Sequence, residues 1–164
     1  MRGTILVLTD KQTLDEDERY CPWTDYEMIP KIPGCDRVVA DDEAGFQESL
    51  QCLNEAYGLD IQRTTVSVDS VQVEVGILDR ECMKSLMQAL RESKKERREK
   101  VRAELEKPDP DMWRVAYDAY MKSNSYIVVI NGDDASFSNE MEFYHSMQNE
   151  PGPLYAVGTY RFHV

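Results

Sequence analysis

The stretch that decides the fold reads Tyr126-Ile127-Val128-Val129-Ile130-Asn131-Gly132-Asp133-Asp134. Its first half contains four consecutive β-branched residues with no polar alternation, which predicts an interior strand covered on both faces. The Asn-Gly-Asp-Asp half is typical of a turn that ends the strand. Because ligands of open α/β sheets bind beyond the carboxyl ends of the strands, this turn is a candidate functional site.

A second apolar run, from Thr4 to Thr9, predicts another interior strand, and Asp10 follows it directly. If the two strands are parallel neighbours, Asp10, Asp133 and Asp134 lie at one edge of the sheet, where their carboxylates could hold Mg²⁺. This arrangement defines the alternative function, a metal-dependent enzyme that acts on a phosphorylated or nucleotide substrate. If the strands are antiparallel, the acids lie at opposite edges and no shared site forms.

No further motif joins these carboxylates. The chain contains no Walker lysine motif, no Gly-x-Gly-x-x-Gly and no Gly-x-Ser-x-Gly. Its four cysteines lack the close spacing of zinc ligands. Aspartates after strands also serve as turn formers and helix caps. Catalytic residues therefore stay unassigned in the main interpretation, which includes no metal and no cofactor.

A helix and a hairpin are predicted between the two apolar strands. The helix follows a cap at Asp41 or Asp42 and ends before Gly58, which suits a left-handed C-terminal cap. Its apolar stripe consists of Phe46, Leu50, Leu53 and Tyr57. Residues 61–78 alternate as a hairpin that turns at Asp69-Ser70. The turn pairs Val68 with Val71, Val66 with Val73, and Thr64 with Val75.

The next helix, around residues 79–107, changes character along its length. After a cap at Asp79, its apolar stripe consists of Met83, Leu86, Met87 and Leu90, and the same stripe then reaches Lys94 and Arg97. Residues 91–102 hold seven basic and three acidic side chains, a local charge of +4. Such a run is typical of a solvated helix face. The functional interpretation is a protruding arm that meets an acidic partner or forms a homodimer with a second copy.

The last third of the chain predicts two more helices and a strand. Asp109 is expected to cap a helix with Pro110 in its first turn, and the stripe of that helix consists of Trp113, Ala116, Tyr117 and Tyr120. This stripe is typical of a core face, although an aromatic platform at 111–122 would also suit a small molecule. Ser136 or Ser138 is expected to cap a short helix, and residues 154–164 alternate as a final strand.

These elements predict an α/β or α+β fold in a single domain spanning residues 1–164. We expect a mixed five- to six-stranded sheet with about four helices packed on it. A long ordered excursion at residues 11–36 interrupts the pattern, because Pro22, Pro30 and Pro33 argue against a long regular element there.

The net charge of −12 restricts the partners that the chain can bind. Outside 91–102, the remaining 152 residues carry 12 basic and 28 acidic side chains, a charge of −16. Such a body repels phosphate backbones, so direct nucleic-acid binding is not expected. No apolar run is long enough to cross a bilayer, and the N-terminus does not resemble a signal peptide. We therefore expect a cytoplasmic protein without membrane contact.

Acidic and aromatic residues in the excursion suggest the main function. The acids are Asp15, Glu16, Asp17 and Glu18, and the aromatics are Tyr20, Trp23 and Tyr26. Carboxylates at irregular spacing can take the place of phosphates on a basic protein surface, and buried aromatics anchor such contacts. The sequence thus predicts an acidic protein-binding or inhibitor module, a nucleic-acid mimic, whose partner is a protein with a basic surface.

Overall fold

The computed structural model describes residues 2–15, 25–68, 70–121, 125–131, 134–147 and 153–164. The strands are β1 (Arg2–Thr9), β2 (Arg37–Ala40), β3 (Gln62–Val68), β4 (Val71–Leu78), β5 (Ser125–Asn131), β6 (Asp134–Asn139) and β7 (Leu154–His163). The helices are α1 (Lys11–Asp15), α2 (Asp25–Met28), α3 (Glu43–Tyr57), α4 (Arg80–Leu105), α5 (Met112–Ala116) and α6 (Glu140–Ser146). A 3₁₀ turn (Ile29–Lys31) follows α2, and a π-helical turn (Tyr117–Met121) continues α5.

The seven described strands form one mixed sheet in the order β3-β4-β7-β1-β5-β6, with β2 beside β7. The predicted fold class is therefore confirmed, although the sheet has one strand more than the upper expectation. The extra strand is β6, where the sequence predicted a turn followed by a helix cap. That residues 1–164 make a single domain stays a prediction.

The two apolar strands β1 and β5 are parallel neighbours. Their register pairs Leu8 with Val129 and Thr9 with Ile130. This pairing fulfils the condition on which the carboxylate site depends, because both strands end at the same edge of the sheet. Since β7 flanks β1 on the other side, β1 is an interior strand, as predicted.

Side chains of β1 and β5 alternate between two separate cores. On one face Leu6, Leu8 and Ile127 pack with the apolar stripes of α3 and α4 and with Phe143 of α6. On the other face Ile5, Val7 and Val128 pack with Met28 and Ile32. Residues 25–36, which are one of the two described parts of the 11–36 excursion, thus supply apolar side chains to the core on this face. This double coverage explains why both strands are apolar throughout.

Local sequence signals positioned several elements correctly. Asp42 caps α3 by accepting from the backbone N–H of Gly45 at 2.9 Å, and Asp79 caps α4 by accepting from Cys82 at 2.8 Å. Gly58 ends α3 in the left-handed conformation, with φ of 63°. The register of the β3–β4 hairpin is the predicted one, including Val66 with Val73.

Two predicted caps are wrong. Asp111, not Asp109, caps α5, because its carboxylate reaches the backbone N–H groups of Trp113 and Arg114. Asn139, not Ser136 or Ser138, caps α6 in a reciprocal capping box with Glu142. In both cases the capping residue lies later in the chain than predicted.

The helix predicted around residues 79–107 is α4, and it is longer than the sheet it packs on. Its 26 residues span about 39 Å at 1.5 Å per residue. The 8 residues of β1 span only about 26 Å. The buried positions Met83, Leu86 and Leu90 all belong to its first half. The second half therefore packs on helices rather than on strands, against α5, the π-helical turn and α6. No helix among the described residues has the length and apolar content that a membrane crossing requires.

Substitution of Gly58 by Ala tests the left-handed cap of α3. No atom lies within 4 Å of the Cβ that would be added, so the cost comes from the backbone conformation alone. We expect Gly58→Ala to lower the free energy of unfolding by about 1 kcal/mol. Gly58→Asn should cost clearly less, since Asn adopts this conformation more readily. Urea titration followed by circular dichroism measures both, and equal losses would contradict the backbone explanation.

Candidate functional site

The carboxyl edge of β1 and β5 brings two of the predicted site residues to the same edge of the sheet. Asp10 directly follows β1, and Asp134 is the register partner of Asn131 at the end of β5. The Asp10 Oδ1 atom accepts a 2.8 Å hydrogen bond from the backbone N–H of Thr13, so it caps the first turn of α1. Asp133 lies outside the described residues. Within the described part of the chain, no group of three His, Cys, Asp or Glu side chains could hold a metal ion.

The predicted acidic and aromatic contact surface falls largely outside the described residues. The members outside the described residues are Glu16, Asp17, Glu18, Tyr20 and Trp23. Asp15 is exposed at the end of α1, and the backbone of Tyr26 belongs to α2. The mimic function therefore stays a prediction.

A groove along the second half of α4 is the most developed candidate site among the described residues. It encloses about 560 Å³ between α4, the π-helical turn and α6. Its lining consists of Lys94, Arg97, Arg98, Val101, Arg102, Leu105, Glu106, Ala119 and Met141. The α4 members recur every three or four residues and so share one face of the helix. We call this feature the α4 groove.

The α4 groove combines cations with apolar surface. Four of its lining residues are Lys or Arg and one is Glu, in a chain whose net charge is −12. Val101 and Leu105 continue the apolar stripe of α4 and meet Ala119 and Met141 on the opposite side. The composition suits a ligand that carries both negative charge and an apolar face.

Large apolar side chains are also exposed on α5, the helix that follows α4 in the chain. Leu105 is 49% exposed, Met112 is 60% exposed and Trp113 is 69% exposed. The prediction that Trp113 belongs to a core face is therefore wrong. Helical spacing predicted a buried stripe, whereas no residue of Met112–Ala116 is buried.

Glu104 fixes that corner. Its buried carboxylate accepts from Lys107 Nζ at 2.6 Å and from the backbone N–H of Asp111 at 3.3 Å, and Arg114 Nε lies 3.8 Å away. These contacts, the Lys107 hydrogen bond above all, lower the pKa of Glu104. The Glu104 carboxylate thus joins the end of α4 to the start of α5, whose cap Asp111 accepts from the backbone N–H of Trp113.

A buried ionic cluster anchors Arg97 in the wall of the α4 groove. Glu140, the first residue of α6, is only 5% exposed and accepts from Arg97 Nη2 at 2.9 Å. Its other carboxylate oxygen accepts from the hydroxyl of Tyr57, at the end of α3. Burial raises the pKa of Glu140, against the opposing effects of Tyr57 and Arg97. The cluster ties α3, α4 and α6 together beyond Leu90, the last buried apolar residue of α4.

Lys94 forms the next contact one turn earlier on α4. Its Nζ lies 2.9 Å from His145 Nε2 and 5.4 Å from the ring centroid of Tyr144. Both partners belong to α6. The middle of α4, which has no apolar stripe, is therefore held to α6 by charge and by a cation–π contact.

Sequence reasoning found the basic run on α4 but missed the groove. The partners that complete it, Ala119 and Met141, are 17 to 47 residues away from the cations in sequence, and no local pattern links them. Sequence reasoning also missed Glu140, although an acidic residue directly after a cap such as Asn139 is typical of a helix N-terminus.

Comparison with known proteins gives no match: no family model fits the sequence, and no curated protein or solved structure is significantly similar to it.

Substitution of Glu140 by Gln tests the buried cluster through its pH dependence. Because the pKa of Glu140 is raised in the folded state, its contribution is fully present below the ordinary carboxyl pKa and is lost as the pH rises through the raised pKa. The unmodified protein should therefore lose stability relative to Glu140→Gln over that pH range. Urea midpoints measured across the acid range provide the comparison. The control variant Glu99→Gln removes an exposed carboxylate of α4 and keeps Glu140. Its stability should follow that of the unmodified protein across the same pH range. A parallel pH course for the unmodified protein and Glu140→Gln would contradict the assignment.

Proposed function

We propose that the protein is a non-enzymatic binding module whose partner docks on the α4 groove and the adjoining surface of Leu105, Met112 and Trp113. The observation that carries the proposal is the exposure of Leu105 in a groove lined by four cations, together with the exposure of Met112 and Trp113 on the helix that follows α4 in the chain. Tryptophan, methionine and arginine are enriched at protein interfaces, and tryptophan and arginine dominate their binding energy. The surface is therefore suited to a protein partner.

The position of the basic cluster supports the same proposal. Exposed charges of an acidic body repel an acidic partner everywhere except at a local basic surface, so the groove directs such a partner to one place. The basic lining of the groove supports the proposal that the 79–107 helix meets an acidic partner or a second copy of the chain. The mimic proposal, with a basic partner at residues 15–26, concerns a different surface.

Two double charge reversals on α4 give a matched test of this proposal. Arg98→Glu with Arg102→Glu alters the groove, whereas Lys95→Glu with Lys100→Glu makes the same change in net charge elsewhere on the exposed surface of the helix. We expect an affinity column of the unmodified protein to retain a partner from cell extract at low salt and to release it at high salt. The Lys95/Lys100 variant should retain it and the Arg98/Arg102 variant should not. Equal retention by both variants would contradict the proposal.

Sedimentation of the same variants separates a protein partner from self-association. Arg97 is left unchanged, because its reversal would place a second carboxylate against buried Glu140 and unfold the cluster. If the groove binds a second copy, the unmodified protein sediments as a dimer and the Arg98/Arg102 variant as a monomer. A monomer in both cases leaves the groove to a different protein.

A second candidate function remains the metal-dependent enzyme at the carboxyl edge. What favours it is the parallel pairing of β1 with β5, which puts Asp10 and Asp134 at one edge. We expect Mg²⁺ to raise the melting temperature of the unmodified protein if this site binds it. Asp10→Asn keeps the cap of α1 but removes the charge, so it should abolish that increase. Asp15→Asn, an exposed acid at the other end of α1, serves as the control. No stabilisation of the unmodified protein by Mg²⁺ would end this proposal.

A further inference from the structure

We infer that the α4 groove receives an acidic amphipathic helix of a partner protein, an inference that rests on the proposed function. The length of the groove is the first argument. Its lining on α4 extends from Lys94 to Glu106, which corresponds to about three helical turns and about 18 Å. A groove of this length between helices matches a helix of three to four turns that lays its apolar face on the floor.

The arrangement of charge along the groove is the second argument. The α4 lining begins with cations at Lys94, Arg97 and Arg98, then alternates Val101, Arg102 and Leu105, and ends at Glu106. A partner helix with carboxylates on both sides of a leucine stripe would place an acid near each cation and an apolar side chain on the floor. Glu106 favours the orientation in which the partner's acids lie toward the Lys94 end.

The preparation of Arg97 is the third argument. Its guanidinium is held by Glu140, and its side chain is 19% exposed. Arg98 lies on the same wall and is exposed. A guanidinium that is already fixed loses less side-chain entropy when it binds a carboxylate. Arg97 therefore acts as a preorganised contact at one end of the groove, and the more exposed Arg98 and Arg102 adapt to the partner.

Other anionic occupants fit the surface less well. A polyphosphate chain has no apolar surface to place against Val101 and Leu105 on the floor of the groove. A flat membrane surface cannot reach the floor of a groove between helices. A small amphipathic carboxylate such as laurate would fill the groove but leave Met112 and Trp113 uncovered, at 60% and 69% exposure. A partner helix longer than the groove has further apolar surface for α5, which contacts α4.

Binding of three labelled peptides to the full-length protein tests the inference by fluorescence anisotropy. The first peptide is a helix with leucines at i, i+3, i+4 and i+7 flanked by glutamates. The second has the same composition in a permuted order, and the third carries Gln in place of Glu. We expect the first to bind at least about tenfold more tightly than the others, and its affinity to fall with salt. The affinity of the first peptide should also fall when the protein carries Arg98→Glu with Arg102→Glu. It should not fall when the protein carries Lys95→Glu with Lys100→Glu.

The outcomes separate this inference from the proposed function. Equal affinity for the ordered and permuted peptides would overturn the helical occupant, while a partner retained in an Arg98- and Arg102-dependent way would still support docking on the groove. Saturable binding of laurate that depends on Arg98 and Arg102, without binding of the ordered peptide, would assign the groove to a small carboxylate and also overturn the inference. Retention of every partner by the Arg98/Arg102 variant would overturn the proposed function itself.

Discussion

The pairing of the last strand with three others is the interaction on which the described sheet depends. β7 runs antiparallel to β1 along nearly its whole length. Its opposite edge pairs with β4 through residues 154–156 and with β2 through residues 160–163. Without β7, the sheet would separate into β1–β5–β6, the β3–β4 hairpin and an isolated β2. β7 therefore joins the β1–β5–β6 unit, which forms the carboxyl edge, to the rest of the sheet.

Acidic residues of this protein have two roles: buried carboxylates join secondary-structure elements, and exposed carboxylates give the surface its negative charge. At the end of β2, the buried Asp41 accepts from Ser49, Thr159 and Arg161, so a single carboxylate joins β2, α3 and β7. Glu140 and Glu104 play the same part around α4. Most other acids are exposed and contribute to the field that surrounds the molecule. The α4 groove is where buried anchoring and surface charge meet, since Glu140 positions one of the cations that line it.

The parts of the fold predictable from sequence were those decided within a few residues. Gly58 and the caps Asp42 and Asp79 act on their own turns, and the hairpin register follows from alternation around Asp69-Ser70. The parallel order of β1 and β5 depends on partners more than 100 residues apart, so the sequence could only state it as a condition. β6 was missed because Ala135 and Phe137 give a weak period-two signal among serines. Helical periodicity could not predict the exposure of Trp113, because this residue follows the corner between α4 and α5 that Glu104 stabilises.

The two halves of α4 are held in place by different kinds of contact. Its first half is held by Met83, Leu86 and Leu90 in the apolar core, a contribution that salt screening leaves largely untouched. Its second half is held to α6 and α5 by contacts of Lys94, Arg97 and Glu104, which are electrostatic. Rising ionic strength screens the exposed charge of Lys94, whereas the pairs made by the buried carboxylates Glu140 and Glu104 are screened much less. Amide protons of this single helix would exchange by two routes, by local opening in the second half and by global unfolding in the first.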